Sequence, residues 1–449
     1  MQSFELDKTD LSKLKTAIDG DDQLLSATLD EYHASEIAIL FDNINSEDKQ
    51  RIINLLEVEK ASEVIAEMSE QAHPEELLIQ LHPEKRTEIV EELDYDDATD
   101  IISQLDEEDQ QEILEDLSAD DAESIRNLLS YDEETAGGLM NTQMIKVNIN
   151  FTKKDAIDEI IRQSEEIEEF YTVFVIDDDE TFKGIVSLKD IIKAKGNPKI
   201  TAMVKPDAVY VKAETDQEEV AKLLSQYNLT SIPVVNDELK LLGRVTFDDV
   251  IDVMEDENTE DILKISGVSE DEELAGNWID AVKSRLPWLI INLGTAFLAS
   301  AVVRYYEDTL AHLAILSAYM TIIAGMGGNA ATQALAVTVR RISLFDLTDQ
   351  QAYRTVLKEF TVGMINGAVT GLIVLVFAYF FDANLMLGLV IFMAMTGNLI
   401  IAGFTGAGIP LILKRVGIDP AIASSIIITT FTDVFGFLLL LGLASKLLL

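Results

Sequence analysis

The sequence contains no cysteine and only four histidines. Without cysteine the chain forms no disulfide, no thiolate zinc site and no cysteine-ligated iron-sulfur cluster. No two of the histidines are spaced as a pair on one helix face; they are His33, His73, His82 and His312. Any metal that this chain binds is therefore expected to be a hard cation held by oxygen ligands.

Two further signals are missing. The first ten residues, MQSFELDKTD, lack the basic and then apolar pattern of a signal peptide, so we expect the N-terminal part to stay in the cytoplasm. No G-x-x-x-x-G-K-[ST] loop occurs anywhere in the chain, which argues against a primary pump driven by nucleotide hydrolysis.

Charge is distributed very unevenly along the 449 residues. The formal net charge is -46, while 48% of the residues are hydrophobic. From residue 286 onward eight acidic and eight basic side chains balance, so the whole net charge falls on residues 1–285. A polyanionic segment repels nucleic acid and anionic lipid and attracts cations. We expect an acidic front half without a nucleic-acid partner, and a neutral apolar back half.

Residues 1–135 predict an acidic α-helical domain. Apolar residues recur at spacings of three and four, and acidic residues stand at many of the helix starts. Three segments repeat at a period of twelve: LDYDDATDIISQL, LDEEDQQEILEDL and LSADDAESIRNLL. No single unit of this size buries its apolar stripe alone, so the repeat predicts short helical hairpins stacked into a superhelix.

Residues 136–257 change character and contain a duplicated pattern. The segments EEFYTVFVIDDDETFKGIVSLKDII and YNLTSIPVVNDELKLLGRVTFDDVI each contain a strand, an acidic turn, a glycine and a second strand. Both then begin a helix with Ser/Thr-x-x-Asp. A strand over Ile145–Phe151 precedes the first copy. The duplication resembles a pair of CBS modules, with the first at 136–200 and the second at 201–257.

The resemblance to CBS modules implies a nucleotide site. The aspartate of the Ser/Thr-x-x-Asp motif commonly contacts a nucleotide ribose in such modules, which nominates Asp190 and Asp249, with Tyr171 as a base-stacking partner. ATP is the candidate nucleotide. The alternative is that both aspartates only cap their helices.

The segment 258–285 follows as a connector. DDVIDVMEDENTEDILKISGV predicts that the helix of the second CBS module continues, and a linker then leads to NWIDAVKSRLPW. Trp278, Trp288, Lys283 and Arg285 suit a membrane interface.

Residues 286–449 predict a membrane domain with five helical spans. Each apolar stretch is long enough for a hydrocarbon core that needs about 20 residues. The stretches are about 286–303, 310–339, 357–381, 384–413 and 421–449.

Basic residues predict the orientation of the spans. The side richer in basic residues is the cytoplasmic side. It carries Lys283, Arg285, Arg340, Arg341, Arg354, Lys358, Lys414 and Arg415. Only Arg304 and Lys446 fall on the other side. We expect a multi-pass protein of the inner (plasma) membrane with a cytoplasmic N-terminus and an external C-terminus.

Three spans combine small residues with amides and hydroxyls, a pattern that predicts interruptions in these membrane helices. The segments are GMGGNAATQ, GMINGAVTG and TGNLIIAGFTGAGIP. A single glycine of this kind most often lets helices pack closely. Several together at membrane depth favour a wet cavity. The polar residues expected to line it are Asn329, Asn366, Asn398, Thr429, Thr430 and Thr432.

Asp433 is an ionisable residue in the middle of the last span, within IITTFTDVFGFLLLLG. A carboxylate there costs roughly 2.5–3.5 kcal/mol on insertion scales. No lysine or arginine in the spans is available to neutralise it, so we expect a cation site facing water. The alternative is a protonated aspartate that bonds to a neighbouring helix. Mg²⁺ keeps several waters, so a carboxylate among hydroxyl and amide groups suits it.

The order of these segments resembles the MgtE family of magnesium channels along essentially the whole chain. The most specific motifs are GGNAATQ in the second span, GIPLILKRVGIDPA before the fifth, and ITTFTD ending at Asp433. The resemblance implies a homodimeric Mg²⁺-selective channel, not an enzyme, with a pore on the two-fold axis. It also implies that Asp433, with Asn329, Thr429 and Thr430, forms the pore ion site.

Regulation by Mg²⁺ is a further implication of the resemblance. The connector helix closes the cytoplasmic mouth when bound Mg²⁺ bridges acidic surfaces. The implied ligands on the cytosolic side are Asp216, Glu218, Asp249, Asp252, Glu257, Glu260 and Asp261, and Asp419 is their counterpart on the membrane side. Bridging cations also make physical sense, because facing carboxylates repel one another once the cations leave.

Other functions fit the residues less well. An ion-coupled secondary transporter of divalent cations is the main alternative, since a lone membrane carboxylate also carries protons. An intramembrane aspartyl protease needs two close carboxylates, and the spans offer only Asp433. A pure sensor with a membrane anchor needs no polar residues in three spans.

Overall fold

The computed structural model describes residues 8–69, 72–164, 167, 170–269, 278–345, 347–423 and 425–449. The chain divides into two compact units, Met1–Glu255 and Asp256–Leu449. The first unit contains the acidic helices and both CBS modules. The second contains the end of the connector helix and the membrane helices.

Ten short helices are described between residues 8 and 128. They are α1 (Lys8–Ile18), α2 (Asp22–Leu29), α3 (Ala34–Phe41), α4 (Ser46–Leu55), α5 (Val58–Ala66), α6 (Pro74–Gln80), α7 (Pro83–Glu92), α8 (Tyr95–Ser103), α9 (Glu107–Asp116) and α10 (Ala119–Leu128). Helices pack against their next-but-one neighbours, as α5 does on α7 and α8 on α10. This confirms the predicted superhelical domain.

Each twelve-residue repeat forms one helix and a short turn, so the predicted hairpins are wrong. A helix of nine or ten residues and its connection already use the whole period. Asp94, Asp106 and Ser118 occupy the same N-cap position in successive repeats. At two of them, Asp106 and Ser118, the side chain accepts a hydrogen bond from the third residue of the helix, which fixes where the helix starts.

The two CBS modules repeat one arrangement. The first contains β1 (Lys146–Asn148), α11 (Lys153–Gln163), β2 (Thr172–Ile176), β3 (Phe182–Ser187) and α12 (Leu188–Lys193). The second contains β4 (Val211–Lys212), α13 (Gln217–Tyr227), β5 (Ser231–Val235), β6 (Leu241–Thr246) and the start of α14 (Phe247–Ser266). In each, the first strand is parallel to the second and the second is antiparallel to the third. The predicted strand over Ile145–Phe151 is confined to β1.

The connector helix α14 is 20 residues long and ends at Ser266. Gly267 follows with a φ of 75°, a left-handed conformation that glycine adopts without strain. Residues 278–285 were predicted as linker, but they form the first turns of a membrane helix. One helix, α15, continues from these residues through Pro287 into the apolar run.

The second unit contains α15 (Trp278–Tyr305), α16 (Glu307–His312), α17 (Leu316–Leu344), α18 (Asp349–Asp382), α19 (Leu385–Arg415) and α20 (Ser425–Leu447). Within the described residues, five of its helices are long and apolar enough to cross a membrane, α15 and α17 to α20. This confirms the five predicted spans. The second span starts later than predicted, because α16 occupies residues 307–312.

The helix α19 lies at the centre of the membrane unit, and α17, α18 and α20 all pack on it. The polar segments predicted to interrupt the spans are continuous helix, so that prediction is wrong. Their glycines serve close packing. A Cβ at Gly363 would lie 2.3 Å from the carbonyl oxygen of Leu399, and one at Gly403 would lie 2.3 Å from that of Glu359.

Candidate functional site

Asp433 lies in the interior of α20 and is partly exposed. Among the described residues, no hydrogen bond or ion pair engages its carboxylate. An intramembrane carboxylate without a partner in its own chain needs water, an ion or another chain.

Two hydroxyl groups share the face of α20 that carries Asp433. Thr429 and Thr430 precede it by four and three residues, which places all three side chains on one side of the helix. The hydroxyls of Thr429 and Thr430 donate to the carbonyl oxygen of Ile426 at 3.2 and 2.7 Å. A hydroxyl oxygen that donates in this way can also accept a hydrogen bond from a water of a hydrated cation. Thr432 is fully buried, so it does not belong to this face.

Asn329 lies on α17 in a different pocket. With Gln333, Asn366 and Thr370 it lines a cavity of about 200 Å³ between α17 and α18. Asp433 is not among the residues that line this cavity. Within the described part of one chain, Asn329 and Asp433 therefore do not share a pocket. Gln333 and Thr370 are not among the residues predicted from the sequence. The signal was their spacing, because Gln333 follows Asn329, and Thr370 follows Asn366, by four residues.

Asn398 is buried between helices. The sequence predicts it in a wet pathway, but it is fully buried on α19. Its Nδ2 donates to the carbonyl oxygen of Ile323 on α17 at 3.0 Å. The prediction is wrong because Asn398 lies on the α19 face that packs on α17.

The last turns of α14 contact the ends of the membrane helices through polar groups. The Lys264 Nζ lies 3.0 Å from an Asp419 carboxylate oxygen and also pairs with Glu260. One helical turn earlier, Asp261 accepts a hydrogen bond from the Ser343 hydroxyl at 3.3 Å. Three of the predicted regulatory residues, Glu260, Asp261 and Asp419, are thus gathered here.

The surroundings of Asp261 disfavour the charged form of its carboxyl group. Burial raises the pKa of this group, and the negative charge of Asp419 raises it further. Ser343, Arg340 and Lys264 act in the opposite direction. Arg340 is held nearby, since its guanidinium donates to the side chain of Asn258 at 2.7 Å. A cation bound here would relieve the repulsion between the two carboxylates.

A second acidic cluster joins the N-terminal helices to the second CBS module. Asp94, Asp96 and Asp97 each place a carboxylate oxygen within 4.8 Å of the others. Burial raises the pKa of Asp97 to about 7 and that of Asp96 well above its usual value, and the charge of Asp249 adds to both shifts. The pKa of Asp249 is also raised by burial. Asn141 donates to Asp96 at 3.1 Å.

Sequence reasoning named Asp249 but missed its partners. Every repeat of the helical domain carries acidic residues in its first turn, so LDYDDATD looked no different from its neighbours. Only the fold brings Asp96 and Asp97 to Asp249.

The other predicted regulatory residues lie on two helices. Asp216 caps α13 by accepting the backbone N–H of Glu218 at 2.9 Å. Asp252 and Glu257 lie on α14, and burial raises the pKa of Asp252, with Glu255 and Asp248 adding to the shift. Their role as cation ligands stays a prediction.

The two aspartates of the Ser/Thr-x-x-Asp motifs differ in whether hydrogen bonds within the chain already occupy their carboxylates. The backbone N–H of Asp190 donates to the Ser187 hydroxyl at 3.1 Å, and a Lys205 Nζ lies 3.8 Å from its carboxylate. The Ser187 hydroxyl is the main cause of a lowered pKa for Asp190. The Asp249 carboxylate instead accepts both the N–H and the hydroxyl of Thr246, as a helix cap does. Tyr171 is 68% exposed.

Comparison with known proteins covers the whole chain. The family described as "Divalent cation transporter" matches residues 320–443, the MgtE intracellular N domain matches 32–134, and CBS domains match 136–197 and 200–256. A magnesium transporter MgtE from Thermus thermophilus is 32% identical over 438 residues, 96% of each chain. The chain belongs to the MgtE family. That family is a class of transporters, not of enzymes.

Other MgtE relatives agree. The magnesium transporter MgtE of Enterococcus faecalis is 36% identical over 315 residues, 70% of this chain and 69% of its own. The crystal structure of the cytosolic domain of a Mg²⁺ channel MgtE in complex with ATP is 33% identical with a TM-score of 0.52. It covers 54% of this chain and 99% of that one.

The acidic cluster predicts how stability depends on pH. The pKa of Asp97 in the folded chain, about 7, exceeds the value near 3.9 of an unfolded aspartate. The folded state therefore binds more protons between about pH 4 and 7, and stability falls as pH rises through this window. Asp97→Asn should flatten that fall and raise stability at pH 8 by about 1–3 kcal/mol. Thermal unfolding of the full chain at pH 5.5 and 8 measures it.

Mg²⁺ should stabilise the native chain more at pH 8 than at pH 5.5, because protons and cations compete for the same carboxylates. Asp97→Asn should weaken this stabilisation. Asp109→Asn is the matched control, since Asp109 occupies the same place in the next repeat and lies outside the cluster. If Asp97→Asn kept the pH slope and the Mg²⁺ response of the native chain, Asp97 would neither titrate in this range nor contribute to Mg²⁺ binding.

Proposed function

We propose that this chain is a Mg²⁺-selective channel that mediates Mg²⁺ uptake across the cell membrane and is gated by cytosolic Mg²⁺. The observation that carries the proposal is the Asp433 carboxylate, which lies among the apolar and hydroxyl side chains of α20 and has no hydrogen bond or ion pair to a described residue. The relatives named magnesium transporters and the structure titled as a Mg²⁺ channel support the choice of ion and of mechanism.

The chemistry of Mg²⁺ suits the Asp433 face. Mg²⁺ gives up its waters reluctantly, so a carboxylate holds it through its hydration shell at little dehydration cost. The oxygens of Thr429 and Thr430 then accept hydrogen bonds from the bound waters. Selectivity requires that the spacing of these oxygens fit one hydrated ion better than others.

A homodimer completes this site. One carboxylate per chain is a weak field for a divalent ion, and two copies around a two-fold axis double it. Two features favour a second copy. Within the chain, only 6% of the residues in the apolar stretch of α15 are buried. In addition, the exposed amides of Asn329, Gln333 and Asn366 lie at membrane depth. Amides at that depth are stabilised by another protein chain or by water.

Gating follows from the contact between α14 and the membrane helices. When Mg²⁺ is plentiful, it bridges carboxylates such as Asp261 and Asp419 and holds the connector helix against the cytoplasmic ends of the spans. When Mg²⁺ is scarce, the carboxylates repel and the helix moves away. The population of the closed state then depends on how much more tightly it binds Mg²⁺. The further acidic ligands are Asp216, Glu218, Asp249, Asp252, Glu257 and Glu260.

ATP binding at the first CBS module is part of the proposal. The exposed Asp190 carboxylate and the exposed ring of Tyr171 suit a ribose and a base. The ATP complex of the related cytosolic domain supports this assignment. Asp249 is the weaker candidate, because Thr246 already occupies its carboxylate.

Orientation in the plasma membrane follows from the basic residues at the helix ends. Arg340 and Arg341 close α17, and Lys414 and Arg415 close α19. With five spans, a cytoplasmic N-terminus places the C-terminus outside.

Mg²⁺ entry into liposomes tests the function. With purified protein and no proton or sodium gradient, we expect entry down the Mg²⁺ gradient and at least a tenfold loss in Asp433→Asn. The substitution removes the negative charge that attracts the hydrated cation. Asp308→Asn, an exposed acid at the outer end of the bundle, should transport like the native chain.

The same assay separates a channel from an ion-coupled secondary transporter. Entry that appears only when a proton or sodium gradient is imposed would favour the transporter. Normal entry in Asp433→Asn would show that this carboxylate is not the ion site.

Lys264 gives a test of gating. Its ammonium group neutralises Glu260 and Asp419, which stabilises the contact of α14 with the membrane unit. In Lys264→Met we expect inhibition by internal Mg²⁺ to need about two- to tenfold more Mg²⁺, the effect of losing roughly 0.5–1.4 kcal/mol. Lys283→Met is the control, because Lys283 pairs with Asp280 one turn away on its own helix. An unchanged midpoint of inhibition would rule out this contact as part of the gate.

A further inference from the structure

Asn398 occupies the junction of three membrane helices. It lies on α19 and is fully buried, whereas α17 and α20, which carry Asn329 and Asp433, pack on either side. A buried primary amide in a membrane bundle is costly unless its polar atoms are satisfied. A leucine of similar size would fill the same space without that cost.

Only one end of the Asn398 amide is satisfied. Its Nδ2 donates to the carbonyl oxygen of Ile323 at 3.0 Å. Its Oδ1 is buried and accepts no hydrogen bond from the described residues. The group therefore ties α19 to α17 and leaves the negative end of its dipole unpaired.

Two glycines form a cradle around this amide. A Cβ at Gly327 on α17 would lie 2.2 Å from the Asn398 Nδ2. A Cβ at Gly436 on α20 would lie 2.8 Å from the same nitrogen and 3.1 Å from Oδ1. Either side chain would displace the amide, so its position depends on both helices.

The cradle lies on the two helices that carry Asn329 and Asp433. Gly327 precedes Asn329 by two residues on α17. Gly436 follows Asp433 by three residues, which places it one turn along on the same side of α20. By touching both glycines, the amide sets the spacing between α17 and α20 one turn after Asp433.

We propose that Asn398 is a positioning residue for the cation site. Seated between Gly327 and Gly436, it fixes the distance between the helices that carry Asn329 and Asp433. The inference rests on the proposed transport function. It assigns Asn398 no direct contact with the ion.

The first test is Asn398→Leu, which keeps the approximate side-chain size and removes the polar atoms. Mg²⁺ entry into liposomes is measured over a range of Mg²⁺ concentrations, alone and with Ca²⁺ as competitor. We expect the half-saturating Mg²⁺ concentration to rise at least threefold and the discrimination against Ca²⁺ to fall. Thr405→Val is the matched control, because Thr405 is also buried on α19 and its hydroxyl bonds only within its own helix.

A second variant covers the case in which Asn398→Leu does not fold. Gly436→Ala should cause the same shift in half-saturation by pushing the amide aside. In the Asn398→Ala background the added methyl group has room, so Gly436→Ala should then do less harm than in the native chain. This non-additivity is the signature of a direct contact.

A purely structural role would lower the amount of folded protein and leave the half-saturating concentration and the Ca²⁺ discrimination at native values. That result, in Asn398→Leu and Gly436→Ala, would overturn the inference. If the native chain moved no Mg²⁺, the proposed function would fail, and this inference with it. Native transport with unchanged variants would overturn the inference alone.

Discussion

The structure depends on one electrostatic constraint, a carboxylate held at membrane depth without a counter-charge in its own chain. Asp433 stands in a helix of apolar and hydroxyl side chains, and nothing described in the bundle neutralises it. Such a group is stable only where water, a cation or a second chain reaches it. The helices around it pack closely through glycines. Gly363 and Gly403 join α18 to α19, and Gly436 lets α20 pack on Asn398 of α19 while another face of α20 stays open.

The proposed regulation uses the same physics. Carboxylates are crowded at two places, around Asp97 and Asp249 and around Asp261 and Asp419, where burial and like charges raise the pKa values of Asp97, Asp249 and Asp261. A cation bound at such a cluster would stabilise it, and loss of the cation would restore the repulsion. A transported ion that also binds such clusters can regulate its own entry, because its concentration on the cytosolic side decides which arrangement is favoured.

The sequence predicted what depends on local pattern and missed what depends on distant contacts. Apolar runs identified five spans, and the duplicated strand pattern identified the CBS pair. The twelve-residue repeat located the short helices, although not that each repeat is a single helix. Asp97 and Asp249 are far apart in the chain, and so are Lys264 and Asp419, so no local pattern showed these pairs. Asn398 was predicted in a wet cavity because an amide in a span looks alike whether it faces water or a glycine cradle.

If the proposed function is right, Mg²⁺ moves passively past Asp433. Current recordings from purified protein in planar bilayers can show this, with different Mg²⁺ concentrations but equal pH and sodium on the two sides. We expect a current whose zero-current voltage follows the Mg²⁺ gradient and does not move when a pH difference is added. A zero-current voltage that shifts with the pH difference, or Mg²⁺ transport without any current, would contradict it.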